Sequence, residues 1–167
     1  LEKNLYSIRI QQNMYTPQNL SSTDIQENDH PYAGYLVAEY MHHTYDDNTY
    51  FISSFLLGGL GKYSAVGPAQ NLTHLLIKND STKGWSNQLS NTPLINIGYQ
   101  INQLIVDNNF FKFFINAQGR VGSLYTDASA GFEARLGLIN STVEFFTQPD
   151  LKKPFEVYLF IRPELRV

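Results

Sequence analysis

The residues near the start of the chain alternate between apolar and polar side chains. The apolar positions are Tyr6, Ile8, Ile10 and Met14, and the polar positions between them include Ser7, Arg9, Gln11 and Asn13. Because successive side chains of a β-strand point to opposite faces, this period predicts a strand with one apolar and one polar face. A chain built from such strands forms sheets whose two faces meet different surroundings.

The same period recurs along the 167 residues, of which 43% are hydrophobic, 14% aromatic and only 16% charged. This composition indicates one folded, β-rich domain over residues 1–167. The predicted later strands lie at about 35–45, 50–60, 95–102, 111–118, 132–138 and 155–162. Polar segments at 46–48, 107–109 and 127–129 predict hairpin turns between them.

The segment 60–92 is too long for a turn and is where we expect function. Leu72, Leu75 and Leu76 have helical spacing, which predicts a short helix over about 69–79. Pro68 stands at a position that favours helix entry. A second short helical stretch is predicted at 87–89, so the loop holds one or two helices.

Composition excludes several classes of partner and chemistry. A net charge of -3, with 12 basic residues spread along the chain, argues against nucleic acid as a partner. The absence of cysteine excludes disulfides, thiolate catalysis and thiol metal sites. No apolar run approaches the roughly 18 residues of a membrane-spanning helix, so contact with a bilayer would need a closed barrel or a surface attachment.

Two barrel types fit this pattern equally well. A transmembrane β-barrel turns its apolar face to lipid and its amide-rich face inward. A soluble lipocalin-like barrel reverses the two faces and shows the same alternation. Periodicity alone leaves both open.

Several short motifs narrow the choice. Tyr15-Thr16-Pro17 is followed by Pro31-Tyr32-Ala33-Gly34. Further along come Gly67-Pro68, Ala69-Gln70-Asn71, His74, Gly84-Trp85, Asn87-Gln88-Leu89, and Asn91 two residues before Pro93. This set resembles the outer-membrane lipid A 3′-O-deacylase family, known as LpxR, from about residue 6 to residue 137.

The resemblance implies an all-β fold, an antiparallel transmembrane β-barrel of about 12 strands in the outer membrane of a Gram-negative bacterium. It implies a monomer in contact with outer-membrane lipids. Seven or eight strands are predicted here, so we expect this chain to lack some C-terminal strands. We also expect it to lack the family's N-terminal strand, whose Asn-Asp motif contributes to the active site and metal binding.

The resemblance also implies a hydrolase that removes the 3′-linked acyloxyacyl group from lipid A, the lipid of lipopolysaccharide. His74 would be the general base that activates water, which suits an imidazole because it titrates near neutral pH. The resemblance implies Ca²⁺ at the oxyanion, with unknown ligands; Asp29 and Asp80 are the nearest acidic candidates. The serines lack a G-x-S-x-G elbow, so activated water is the simpler nucleophile.

The other predicted site residues would bind substrate, and each also has an ordinary structural interpretation. Helix capping, turn formation, anchoring at the membrane interface and simple packing are the alternatives. The predicted substrate-binding residues are Asp29, His30, Tyr32, Gln70, Asn71, Trp85 and Gln88.

Two substitutions favour a rival function. His30 stands where the family usually has Arg, and Thr92 replaces the Glu of its N-E-P motif. A non-enzymatic outer-membrane barrel that binds lipid or has a structural part therefore remains an alternative, as does a soluble lipid-binding barrel.

His42 and His43 are adjacent in a predicted strand, point to opposite faces and cannot form a joint metal site.

Overall fold

The structure is a computed structural model that describes residues 3–139 and 157–167. Its strands are β1 (Lys3–Tyr15), β2 (Ala33–Tyr45), β3 (Thr49–Leu60), β4 (Thr92–Asp107), β5 (Phe111–Gly122), β6 (Asp127–Leu138), β7 (Val157–Ile161) and β8 (Glu164–Arg166). The helix α1 (Val66–Leu76) and two 3-10 helices, Gly61–Ser64 and Gly84–Asn87, lie between β3 and β4. The predicted all-β class is confirmed, together with the helical loop.

The strands pair in chain order from β1 to β7, and β8 also pairs with β6. The pairs β4–β5, β5–β6, β6–β7 and β6–β8 are antiparallel. Within the described ranges the order ends at β1 and β7, so these strands form an open sheet. No helix in this part of the chain is long and apolar enough to cross a membrane.

Several predicted boundaries differ from the structure. The predicted turn at 127–129 is wrong, because β6 begins at Asp127, which pairs across the ladder with Arg120 and forms an ion pair with it. The helix begins at Val66 rather than at 69, after Ala65 adopts a left-handed conformation with φ 52°. The second helical stretch lies at Gly84–Asn87 rather than at 87–89. Of the last predicted strand, residues 155 and 156 lie outside the described residues.

The contacts divide the chain into two compact units. The first comprises Leu1–Ser7, Tyr40–Phe55 and Asn96–Val167. Its apolar core is the cluster of Tyr45, Tyr50, Leu104 and Phe114. The second comprises Ile8–Glu39 and Leu56–Ile95, with a core of Tyr32, Val66 and Trp85.

Buried charges in the first unit are paired. Lys112 on β5 forms an ion pair with Asp107. The Arg135 Nε on β6 donates to the Glu133 Oε1 at 2.5 Å, and its guanidinium lies 4.8 Å from the ring centre of Phe114. Partners of this kind are what allow charged side chains to be buried.

Large apolar side chains, by contrast, are exposed. Ile8 and Ile10 of the second unit are 72% and 73% exposed, whereas Lys112 and Arg135 of the first unit are each 3% exposed. On β5 and β6, exposed apolar residues lie next to buried polar ones: Ile115 beside Asn116, Phe132 beside Glu133 and Leu136 beside Arg135. This is the polarity of a strand with lipid outside, and the reverse of what a soluble lipid-binding barrel needs.

Candidate functional site

The candidate site lies in the second unit, on the excursion that leaves β3 at Leu60 and returns at Thr92. The side chain of Asn91 joins the two ends of this excursion, since its Oδ1 accepts the backbone N–H of Lys62 at 2.7 Å. The Gln12 Nε2 on β1 donates to the carbonyl of the buried Ser64 at 2.7 Å. These hydrogen bonds hold the two ends of the excursion together and attach the excursion to β1.

Trp85 is buried and packs at the base of the excursion. Its Nε1 donates to the Oε1 of buried Gln70 at 2.7 Å, and its ring centre lies 5.0 Å from that of Tyr32. A Cβ on Gly67 would lie 3.0 Å from the Trp85 ring, and one on Gly84 only 2.2 Å from the Tyr32 ring. Glycine at position 84 is therefore required by close packing, whereas a Cβ at position 67 would need the Trp85 ring to shift slightly. Tyr32, Gln70 and Trp85, predicted to bind substrate, all belong to this packed core.

His74 lies near the end of α1 and is half-buried. Its Nδ1 is 2.6 Å from the backbone carbonyl oxygen of Asp80. Because a carbonyl oxygen can only accept a hydrogen bond, Nδ1 must carry the hydrogen. In the neutral ring, Nε2 then has a free lone pair and is the nitrogen that can accept a proton.

Asn71 lies on α1, three residues before His74. Its Oδ1 accepts two hydrogen bonds from Thr82, at 2.9 Å from the backbone N–H and 2.6 Å from Oγ1. Gln88 donates from Nε2 to the carbonyl of Trp85 at 3.1 Å. These two predicted substrate-binding amides thus each have a partner within the excursion, and substrate contact by either stays a prediction.

Asp29 and His30 lie in the loop between β1 and β2. The two carboxylate oxygens of Asp29 accept the backbone N–H groups of Gln18 and His30, each at 2.7 Å. These hydrogen bonds hold the pKa of Asp29 below its ordinary value, so the carboxylate is charged at neutral pH. Asp29 therefore shapes the loop that leads into Tyr32, while His30 is exposed.

The predicted calcium ion lacks a set of ligands in this part of the protein. Within residues 3–139 and 157–167, no three His, Cys, Asp or Glu side chains are grouped so that they could hold a metal ion. Both oxygens of Asp29 already accept backbone N–H groups. The ligands of the ion stay unknown, and the need for the ion stays an expectation from the resemblance.

An apolar groove of about 460 Å³ also lies in the second unit. It is lined by Ile10, Leu36, Val37, Ala38, Leu57, Gly58, Gly59, Tyr63 and Pro93. The side chains offer hydrocarbon surface, which is suited to a fatty acyl chain.

The two adjacent histidines of β2 have separate partners. The Nε2 of His42 is 2.7 Å from the Oδ1 of Asn4, and its ring stacks on Tyr6 with centres 4.7 Å apart. The ring nitrogens of His43 are 2.8 Å from the Ser7 Oγ and 2.7 Å from the Tyr50 hydroxyl. No partner is common to the two rings, as expected for neighbours on a strand.

Exposed apolar strand positions, paired buried charges and a helical excursion packed on β1 and β2 define a β protein of the outer-membrane type. The family model described as "Outer membrane protein LpxR" matches residues 1–167, so the chain belongs to the LpxR family. The predicted family is confirmed.

A solved structure, LpxR from Salmonella typhimurium, has the same fold, with a TM-score of 0.69 at 17% sequence identity. The match covers 81% of this chain and 48% of that chain. This chain thus corresponds to about half the length of the solved relative. No curated protein matches.

The packing around Trp85 can be tested by the fluorescence of its indole ring. In Gly84→Val, the new side chain would collide with the Tyr32 ring, and overpacking of this kind costs about 1–3 kcal/mol. We expect Trp85, the only tryptophan, to become more exposed and its fluorescence to shift to longer wavelength. Ser86→Val, at an exposed neighbour, is the control and should leave the spectrum unchanged. An unshifted spectrum in Gly84→Val would contradict the packing described.

Proposed function

We propose that this protein is a lipid A deacylase that hydrolyses the 3′-linked acyloxyacyl ester, with His74 as general base. The observation that carries the proposal is the contact between the His74 Nδ1 and the Asp80 carbonyl, since it leaves Nε2 free to accept a proton. Membership of an outer-membrane protein family supports a lipid substrate in that membrane.

The chemistry needs one proton acceptor and one water molecule. Nε2 of His74 takes a proton from water as the water oxygen forms a bond to the ester carbonyl carbon. The bond from that carbon to the sugar oxygen then breaks, and the proton passes from the imidazolium to the leaving oxygen. The products are the acyloxyacyl group as a free carboxylic acid and a sugar hydroxyl, and His74 ends neutral.

The apolar surface of the same unit supports an acylated substrate. Leu72, Leu75 and Leu76 of α1 are exposed, so the helix that carries His74 presents side chains suited to hydrocarbon. The apolar groove beside Tyr63 offers a second such surface. His30 would meet the phosphorylated head group, with a contact weaker than the bidentate one that arginine makes.

A non-enzymatic lipid-binding barrel is the second candidate. It is favoured by the structural contacts of Gln70, Asn71 and Gln88. Thr92 in place of the family's glutamate points the same way. The two candidates predict different lipid A. The deacylase removes the 3′ acyloxyacyl group and lowers the mass of lipid A, whereas the lipid-binding barrel leaves that mass unchanged.

Replacement of His74 tests the proposed base. In His74→Ala we expect lipid A from cells that make the full-length protein to retain the 3′ acyloxyacyl group, because loss of a general base lowers the rate by about 10²- to 10⁴-fold. The measurement is mass spectrometry of extracted lipid A.

Thr73→Ala, on an exposed position of the same helix, is the matched control and should behave as wild type. Heat-modifiable migration on gels should be the same for all three proteins, which excludes misfolding. Full deacylation by His74→Ala would remove His74 from the mechanism. Intact lipid A with the wild-type protein would favour the lipid-binding barrel.

Chelation tests the calcium requirement that the resemblance implies. If a divalent cation stabilises the oxyanion, a chelator should stop deacylation by the purified full-length protein in detergent, and added Ca²⁺ should restore it. Deacylation that persists in chelator would instead indicate protein hydrogen-bond donors at the oxyanion. The His74→Ala protein serves as the zero-activity reference.

A further inference from the structure

We propose that Asn71 is a positioning residue that fixes the tautomer of His74 through Thr82 and the backbone of Asp80. This proposal rests on the proposed function only for the catalytic role of His74. The tautomer itself can be measured without any reaction. The hydrogen bonds of the Asn71 Oδ1 go to Thr82, so its effect on the His74 ring would be indirect.

The chain turns back on α1 immediately after the helix ends. Lys78 adopts a left-handed conformation with φ 57°, and the Asn79 N–H donates to the His74 carbonyl at 2.8 Å. This reversal brings the Asp80 carbonyl to 2.6 Å from the His74 Nδ1. A carbonyl is one of the groups that commonly set which ring nitrogen of a histidine carries the hydrogen.

Asn71 holds the far end of this return segment. Its Oδ1 accepts both donors of Thr82, two residues beyond Asp80. Thr82 is 5% exposed, so loss of the acceptor would leave its N–H and hydroxyl buried without a partner. Because buried unpaired donors are costly, we expect the segment to move rather than keep this geometry. The Asp80 carbonyl would then leave Nδ1.

A carbonyl has a specific advantage as the orienting group. It cannot donate a hydrogen bond and does not titrate, so it favours the Nδ1–H form without adding a negative charge beside a lipid substrate. If the other tautomer formed, Nε2 would carry the hydrogen and could not accept a proton from water. In serine proteases, a change that leaves the catalytic histidine in the wrong tautomer lowers the rate by about 10⁴-fold.

The tautomer can be observed by long-range proton–nitrogen NMR on the full-length protein, ¹⁵N-labelled at histidine, in detergent micelles above the histidine titration range. The chain has four histidines, and the signals of His74 are those missing from His74→Gln. We expect the wild type to show the Nδ1–H form. Asn71→Ala should show a mixture with the Nε2–H form, and deacylation should fall by about 10²-fold.

Asn71→Asp is the matched control, because its carboxylate keeps an acceptor at the same place. It should restore both the Nδ1–H form and most of the activity. Thr82→Val removes only the hydroxyl donor and is a milder second variant in case Asn71→Ala does not fold. It should shift the tautomer in the same direction but by less. Trp85 fluorescence, unchanged in all variants, would show that the packed core is intact.

The outcomes separate the inference from the proposed function. An unchanged Nδ1–H form in folded Asn71→Ala or Thr82→Val would overturn the inference, whatever the activity. A shifted tautomer in Asn71→Ala with recovery in Asn71→Asp would support it, even if the wild-type protein proved unable to deacylate lipid A. In that last case only the proposed function would fail.

Discussion

Burial of polar side chains with their partners is the constraint on which the rest of the structure depends. Lys112, Glu133 and Arg135 occupy buried positions on β5 and β6, and their ion pairs make that burial possible. Because neighbouring residues of a strand face opposite ways, Phe132 and Leu136, next to Glu133 and Arg135, lie on the exposed face. Burial of the polar face therefore also determines which residues are exposed. A shift of one residue in register would bury the apolar face and expose the charges.

The excursion between β3 and β4 is stabilised by apolar packing rather than by buried ion pairs. It contains a small apolar core, in which Trp85, Tyr32 and Val66 pack together and Gln70 satisfies the one polar atom of the indole. A Cβ on Gly34 of β2 would lie 2.6 Å from Val66, the first residue of α1, so this core holds α1 against β2, and α1 in turn carries His74. Most of the residues that the sequence predicts to be functional make contacts within the excursion or in the loop before β2, and their contact with substrate stays a prediction.

Much of this was predictable from the sequence, for physical reasons. A period of two predicts strands whether their apolar face is buried or exposed, so the strands were found but their polarity was not. The turn at 127–129 was predicted wrongly, because Asp127 and Ser129 suit turns by composition but are here paired across the sheet with Arg120 and Gln118. Thr82 was missed, because its polar surroundings from Lys78 to Lys83 give no local signal, and its partner Asn71 is 11 residues away. The orientation of the His74 ring depends on that distant contact and cannot be inferred from spacing.

The polarity of the sheet is the property to test first, because the proposed substrate is a membrane lipid. The chain has no cysteine, so single cysteines at Ala117 and Gln118 of β5 can each carry a nitroxide spin label in lipid vesicles. Ala117 lies on the exposed face, and Gln118 on the polar face, where its Nε2 donates to the Glu164 Oε1. This polarity predicts that oxygen, which concentrates in lipid, relaxes the label at 117, and that a water-soluble nickel complex relaxes the label at 118. Equal exposure of both labels to the nickel complex, or the reverse assignment, would contradict it.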